Sequence, residues 1–125
     1  MYETLNLEVV DHVAVVTMTT KTFVPQLFAD IGAAFRGLAG RINGSTDPDD
    51  DIRAVIFCSD QKCFSYGLDL MAAFQEHGEI FTGGMAGERQ ALLGLIRLWQ
   101  ADIQAVADCP VPVIAAIHGW CIGAG

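Results

Sequence analysis

The sequence predicts an α/β fold: a parallel sheet with flanking helices, entered through an N-terminal β-hairpin. Three observations predict it. Two short apolar runs, Leu5 to Val9 and Val13 to Met18, are separated only by Val10-Asp11-His12, the spacing of a hairpin. Two further runs, Ile52 to Cys58 and Val111 to Ile117, each follow a segment with helical periodicity. Strands that alternate with helices build βαβ units with right-handed crossovers.

Taken in order, Leu5-Asn6-Leu7-Glu8-Val9 alternates apolar and polar residues, as a half-buried strand does. Val13 to Met18 is a second, more apolar strand. Thr19 to Thr22 is a polar break with one base, Lys21. Pro25 suits the first turn of a helix, because its missing N–H would have no intrahelical partner there. Val24, Leu27, Phe28, Ile31, Ala34, Phe35 and Leu38 then recur at helical spacing and make one apolar face. Asn43-Gly44 stops that helix, and Ser45 to Asp51 (STDPDDD) is a solvated acidic loop rather than a metal site.

Ile52 to Cys58 (IRAVIFC) is rich in β-branched residues and reads as a strand buried on both faces. After a polar loop, Ser59 to Lys62, the stretch Cys63 to Leu70 (CFSYGLDL) is a strand-to-helix junction with Gly67 at the bend. Leu68 to Phe74 reads as a short helix. His77 to Gly87 reads as a mobile loop, with glycines at 78, 83, 84 and 87. A long helix follows over 88–107. Its apolar face is Leu92, Leu95, Ile96, Trp99, Ile103 and Val106, while Arg89, Gln90, Arg97, Gln100 and Asp102 lie largely elsewhere. Cys109-Pro110 ends it. The last strand, Val111 to Ile117, runs through His118-Gly119 into the glycine-rich turn Cys121 to Gly125.

Composition narrows the function. The chain has 125 residues, enough for one domain with a real core. Its mean hydropathy of +0.38 is high for so small a domain, which implies many buried elements, or surfaces that other parts or subunits cover. The net charge of −8 and the lack of a Lys/Arg cluster argue against a nucleic-acid partner. No apolar run approaches the roughly 18 to 20 residues that cross a membrane. The start, MYETLNLEVV, has neither the basic nor the apolar region of a secretory signal. Cys58, Cys63, Cys109 and Cys121 form no CxxC pair and stand at no zinc-ligand spacing from the histidines. They read as reduced cysteines of a cytoplasmic protein.

The chemistry concentrates where an apolar strand meets a glycine turn. This happens twice, at Ile52–Gly67 and at Val111–Gly125. Neighbouring parallel strands present their C-terminal ends on one edge of the sheet, where ligands bind. If these two strands are neighbours, two backbone N–H groups converge on one oxygen, which is the arrangement of an oxyanion hole. Gly67, Gly123 and Gly125 supply the bends. A helix beginning at the second turn would add its N-terminal dipole. Glycine turns after strands are common, and ordinary packing is the plainer reading of them. The sequence contains no GxxxxGK[ST], and GWCIGAG does not match the GxGxxG dinucleotide fingerprint.

CFSYGLDL together with PVIAAIHGWCIGAG resembles the enoyl-CoA hydratase/isomerase (crotonase) superfamily. The resemblance runs from Val13 onward, with both motifs in the expected order and spacing. Within the superfamily it is nearest in its motifs to the dienoyl-CoA isomerases. It implies a spiral of ββα units, of which residues 1–125 are the N-terminal part of a single domain. It implies an acyl-CoA thioester as substrate, with coenzyme A as part of that substrate and no separate cofactor or metal. The carbonyl oxygen would sit between the N–H groups of Leu68, in Phe64-Ser65-Tyr66-Gly67-Leu68-Asp69, and of Ala124, in the Gly123-Ala124-Gly125 turn. Ser65, Tyr66, Gly67, Leu68, Asp69, Leu70, Gly123, Ala124 and Gly125 form the expected substrate-binding set. The resemblance also implies homotrimers or hexamers, and acid/base carboxylates beyond residue 125, so that pairing with a C-terminal half completes the site.

One departure stands out. Most members carry an Asn-Ala pair after the first hairpin, and this chain has Thr22-Phe23-Val24-Pro25 there. The tempting side chains have plainer readings. Asp69 caps the short helix rather than acting as a base. His118 makes a structural hydrogen bond, Trp99 and Trp120 are core or subunit contacts, and Lys21 and Lys62 are exposed bases within possible reach of CoA phosphates. Two reactions share the two-amide site: dienoyl isomerisation, which the motifs favour, and hydration of a 2-enoyl thioester. The reading from another class is a non-catalytic acyl-CoA-binding or assembly protein.

Overall fold

A computed structural model describes residues 2–82 and 84–125. Strands β1 (Leu5–Val10) and β2 (Val13–Met18) form an antiparallel hairpin. Helix α1 (Pro25–Gly44) crosses over to β3 (Ala54–Ser59), which pairs parallel to β2. Helices α2 (Leu70–Thr82) and α3 (Ala86–Ala107) then lead to β4 (Val113–Ala115), parallel to β3. The sheet order is β1-β2-β3-β4. This is the predicted hairpin followed by a parallel sheet with flanking helices, the ββα progression of a crotonase spiral.

The hairpin turn is two residues long, and both Asp11 (φ 50°) and His12 (φ 68°) take left-handed backbone. Such turns match the twist of the strands they join. The His12 carbonyl accepts the Arg53 N–H, and its ring Nδ1 donates to the Asp51 carbonyl. The turn is therefore tied to the entry of β3.

One face of the sheet carries Ala14, Val16, Met18, Val55 and Phe57, all buried. Leu27, Phe28, Ile31, Ala34, Phe35 and Leu38 of α1 pack against it, as the helical spacing predicts. The other face of β3, with Ala54, Ile56 and Cys58, is only half-buried, so this strand is not covered on both faces among the described residues.

Four further expectations are corrected. The segment read as a loop from His77 is helical as far as Thr82, because α2 continues through a kink at His77 (φ −130°, ψ 21°). Gly78 is carried inside that helix, and Gly83 lies outside the described residues. The long helix begins two residues early, at Ala86, where the Glu88 carboxylate accepts the Met85 N–H. Strand β4 is three residues rather than seven. Pro110 and Pro112 have no N–H to give a ladder, and Ile114 and Ile117 stand exposed.

The fourth correction concerns α3. Its docking on α1 is not the apolar stripe alone: Ile96 and Ile103 remain exposed, while Asp102 is buried. The Asp102 carboxylate receives the Arg36 guanidinium at 2.8 Å, directly over Gly32. A side chain at position 32 would occupy the space of that carboxylate. A second buried carboxylate, Asp30, accepts the N–H groups of Glu3 and Thr4, the Thr4 hydroxyl and the Gln26 amide. Burial pushes its pKa up, but these four donors win and hold it below the ordinary 3.8.

Candidate functional site

The stretch from Cys63 to Asp69 lies between two segments and is laddered to both. On one side, the Phe64 N–H donates to the His118 carbonyl (2.8 Å) and the Ser65 N–H to the Trp120 carbonyl (3.0 Å). The Ile122 N–H returns a bond to the Ser65 carbonyl. On the other side, the Tyr66 N–H donates to Lys21, the Phe23 N–H to Gly67 (2.8 Å) and the Asp69 N–H to Phe23 (3.0 Å). The two turns singled out in the sequence are thus neighbours at the same end of the sheet.

They touch through their glycines. Gly67 has φ +89° and Gly123 φ +58°, backbone that L side chains rarely adopt. A Cβ at Gly67 would stand 3.3 Å from the Ile122 carbonyl oxygen, and one at Gly123 would stand 3.5 Å from the Gly67 Cα. A Cβ at Gly125 would overlap the side chain of Ser65.

Ser65 is fully buried, and its hydroxyl links the turns: Oγ accepts the Gly67 N–H (2.9 Å) and donates to the Ile122 carbonyl (3.3 Å). Its hydroxyl therefore holds the turns together. Sequence reasoning gave no sign of that link, because no periodicity reveals which Ser aims inward.

This bonding leaves several amides of the two turns without a partner among the described residues, and Leu68 and Ala124 are the two that are half-buried against the core. Neither the Leu68 N–H nor the Ala124 N–H donates to any acceptor among the described residues. Both residues are half-buried and pack against the core. Parallel pairing sets the direction of the first of them. Phe23 uses its N–H and C=O on residues 67 and 69, which bracket Leu68, so the Leu68 amide faces away from that rung. An unpaired main-chain N–H in a half-buried position seeks an acceptor.

The remaining expected site residues have definite places. Asp69 caps α2: its Oδ1 accepts the Ala72 N–H at 2.9 Å, and its Oδ2 accepts the Thr22 hydroxyl at 2.8 Å. Those two donors, the Ala72 N–H first, hold its carboxyl below 3.8. Tyr66 is partly exposed, and a hydrogen bond with Cys63 raises its phenol pKa. Leu70 opens α2 with its side chain exposed, next to Met71 and Phe74. His118 bonds through Nε2 to the Gln61 carbonyl at 2.7 Å. Trp99 stacks on Phe28, with centroids 4.9 Å apart, while Trp120 is exposed. Lys21 and Lys62 are exposed. Cys63 is buried and Cys121 exposed. Among the described residues no group of three or more His, Cys, Asp or Glu is placed to hold a metal ion, and no helix is long and apolar enough to cross a membrane.

A parallel sheet entered by a hairpin, with glycine turns abutting at one sheet end, defines a crotonase-type scaffold. The chain belongs to the enoyl-CoA hydratase/isomerase family, whose sequence model matches residues 9–125. It is 40% identical over 77 residues to the mitochondrial Δ(3,5)-Δ(2,4)-dienoyl-CoA isomerase of Mus musculus, a match covering 62% of this chain and 24% of that protein. It is 37% identical over 75 residues to a hexahydro-indene-carboxyl-CoA hydrolase of Mycobacterium tuberculosis, covering 60% of this chain and 26% of the relative. Each of these two matches thus spans about a quarter of the length of the relative. Among solved structures, an enoyl-CoA hydratase/isomerase from Xanthobacter autotrophicus Py2 superposes with a TM-score of 0.71 at 23% identity, over 97% of this chain and 40% of that one. That likeness concerns the fold.

Proposed function

We propose that this chain supplies the thioester-binding part of an acyl-CoA enzyme. The carbonyl oxygen of the substrate accepts hydrogen bonds from the Leu68 and Ala124 N–H groups. The observation that carries this reading is the pair of unpartnered amides on two abutting glycine turns. When a proton leaves the carbon next to the thioester, negative charge develops on that oxygen. Fixed donors stabilise the charge without reorganising, each typically worth about 10²–10³ in rate. Backbone amides do this work, so Leu and Ala side chains are acceptable at these positions.

The preferred reaction is dienoyl isomerisation. A 3,5-dienoyl thioester loses a proton at C2, and the resulting dienolate regains one at C6, giving the 2,4-dienoyl thioester. The similarity to the mouse isomerase supports this choice. The second reaction is hydration, in which water adds at C3 of a 2-enoyl thioester and C2 takes a proton. Both pass through the same enolate oxygen. Carboxylates beyond residue 125 would move the protons.

Residues 1–125 would form the N-terminal part of a single larger domain, in line with the partial coverage of the relatives. The exposed Ile114, Ile117, Trp120 and Ile122 would be covered by the rest of that domain or by neighbouring copies in a homotrimer or hexamer.

The test is to offer 3,5-dienoyl-CoA and 2-enoyl-CoA separately and follow the absorbance of the conjugated thioester. Gain of conjugation from the first supports isomerisation, and loss from the second supports hydration. Tight binding of both with conversion of neither by a chain that extends past residue 125 would favour a non-catalytic acyl-CoA-binding protein. Absence of binding would overturn the thioester reading.

A further inference from the structure

The segment between β2 and α1 does more than connect them. Phe23 spans Leu68 with both of its main-chain groups: its N–H donates to the Gly67 carbonyl, and its carbonyl accepts the Asp69 N–H. The peptide that carries the Leu68 N–H is therefore fixed on both sides by one residue. Phe23 itself is anchored. Its ring is buried and lies 5.4 Å from Phe28, which stacks on Trp99. Next to it, the Thr22 hydroxyl reaches Oδ2 of Asp69, across 47 positions of sequence.

Capping α2 does not require that last bond. The cap is complete with Oδ1 on the Ala72 N–H. The Oδ2 contact is additional, and it closes a ring: Thr22 hydroxyl, Asp69 carboxylate, Asp69 N–H and Phe23 carbonyl. Such a ring resists rotation of the peptides flanking Leu68.

We infer that Thr22 is a positioning residue: its hydroxyl latches Asp69 and, with the Phe23 main chain, sets the direction of the Leu68 N–H. This rests on the proposed role of Leu68 as a donor to a thioester oxygen. Ala124 lies on the other turn, held by bonds in which Thr22 takes no part, so the latch acts on one donor and not on both.

The test uses the amide spectrum of the nitrogen-15-labelled chain, with octanoyl-CoA as a probe that does not react. In the wild-type chain the Leu68 and Ala124 amides both shift downfield on binding. In Thr22→Val the Phe23 and Asp69 amides exchange about tenfold faster, the scale of one hydrogen bond to a charged group. The downfield shift of Leu68 falls by about half or more, that of Ala124 persists, and Thr22→Ser restores Leu68. Thr22→Ala removes the same hydroxyl with less bulk and reads the same amides if the Val variant does not fold.

A Leu68 response unchanged in the Val or Ala variant overturns the latch while leaving the oxyanion reading intact. So does an equal loss at Leu68 and Ala124, which marks general loosening, and so does a Ser variant that fails to restore Leu68. No Leu68 shift in the wild-type chain overturns the oxyanion reading and the latch with it.

Discussion

Replacing Gly67 by alanine puts the geometry of the first turn under a measurable load. At φ +89° a Cβ is strained whatever space surrounds it, by about 1–3 kcal/mol. Here the space is also tight. The new methyl would stand 3.3 Å from the Ile122 carbonyl oxygen, a main-chain atom that the bond from the Gly125 N–H helps to hold. Strain and contact together set the expected loss of stability at about 2–3 kcal/mol. With an ordinary urea dependence, the unfolding midpoint falls by about 1 M or somewhat more.

The chain can relieve part of the strain by turning the Gly67–Leu68 peptide. That moves the Leu68 N–H off its aim, and a displacement near 1 Å is enough to cost about 10²-fold in turnover. Urea denaturation and turnover of the preferred thioester, the latter in a chain that extends past residue 125, read the two effects separately. Gly84→Ala, at a position with nothing within 4 Å of the added methyl, controls for glycine replacement in general. A Gly67→Ala chain with unaltered midpoint and unaltered turnover would refute both the strain and the donor geometry.

Other substitutions follow from the same structure. Gly94→Ala, inside α3 with open space around its Cβ, should stabilise by up to about 1 kcal/mol, whereas the same change at Gly32 should destabilise by about 2 kcal/mol or more. Thermal melts of the two variants side by side check the opposite signs. Asp30→Asn should destabilise by about 1–3 kcal/mol at neutral pH, since one carboxylate serves four donors. The Asp30 pKa is depressed in the folded chain, so its contribution is full above the unfolded value near 3.8 and is lost as pH falls through the lower folded value. Denaturation midpoints over an acid series should therefore fall less steeply in Asp30→Asn than in the wild-type chain.

Much of this architecture was legible in the residues. The apolar spacing from Leu27 to Leu38 fixed the face of α1, and the three-residue gap between the first two runs gave the hairpin. The recurrence of strand and glycine turn marked the two segments that the fold brings together. What the sequence hid has a common cause: polar atoms whose partners are far away in the chain. Asp102 looks like an outward charge on α3 until Arg36 and Gly32, more than half a chain earlier, make room for it. Ser65 and Thr22 look like loop hydroxyls until their acceptors at Ile122 and Asp69 are seen.

Glycine misled in the opposite sense. Gly78 reads as loop, yet α2 carries it because nothing crowds it and a kink at His77 absorbs the change of direction. The prolines at 110 and 112 were present in the sequence, but the apolar run after them outweighed their message. A run that is apolar for covering by other parts of a fold reads the same as one that is already buried.

The two-donor site is tested most directly by the carbonyl stretch of octanoyl-CoA labelled with carbon-13 at the thioester carbon. Two amides on one oxygen weaken the C=O bond, so the band should move to lower frequency on binding to the wild-type chain. In Gly67→Ala it should return part of the way toward its position in water. A bound thioester whose carbonyl band stays at its free-solution frequency would contradict a site built on the Leu68 and Ala124 amides.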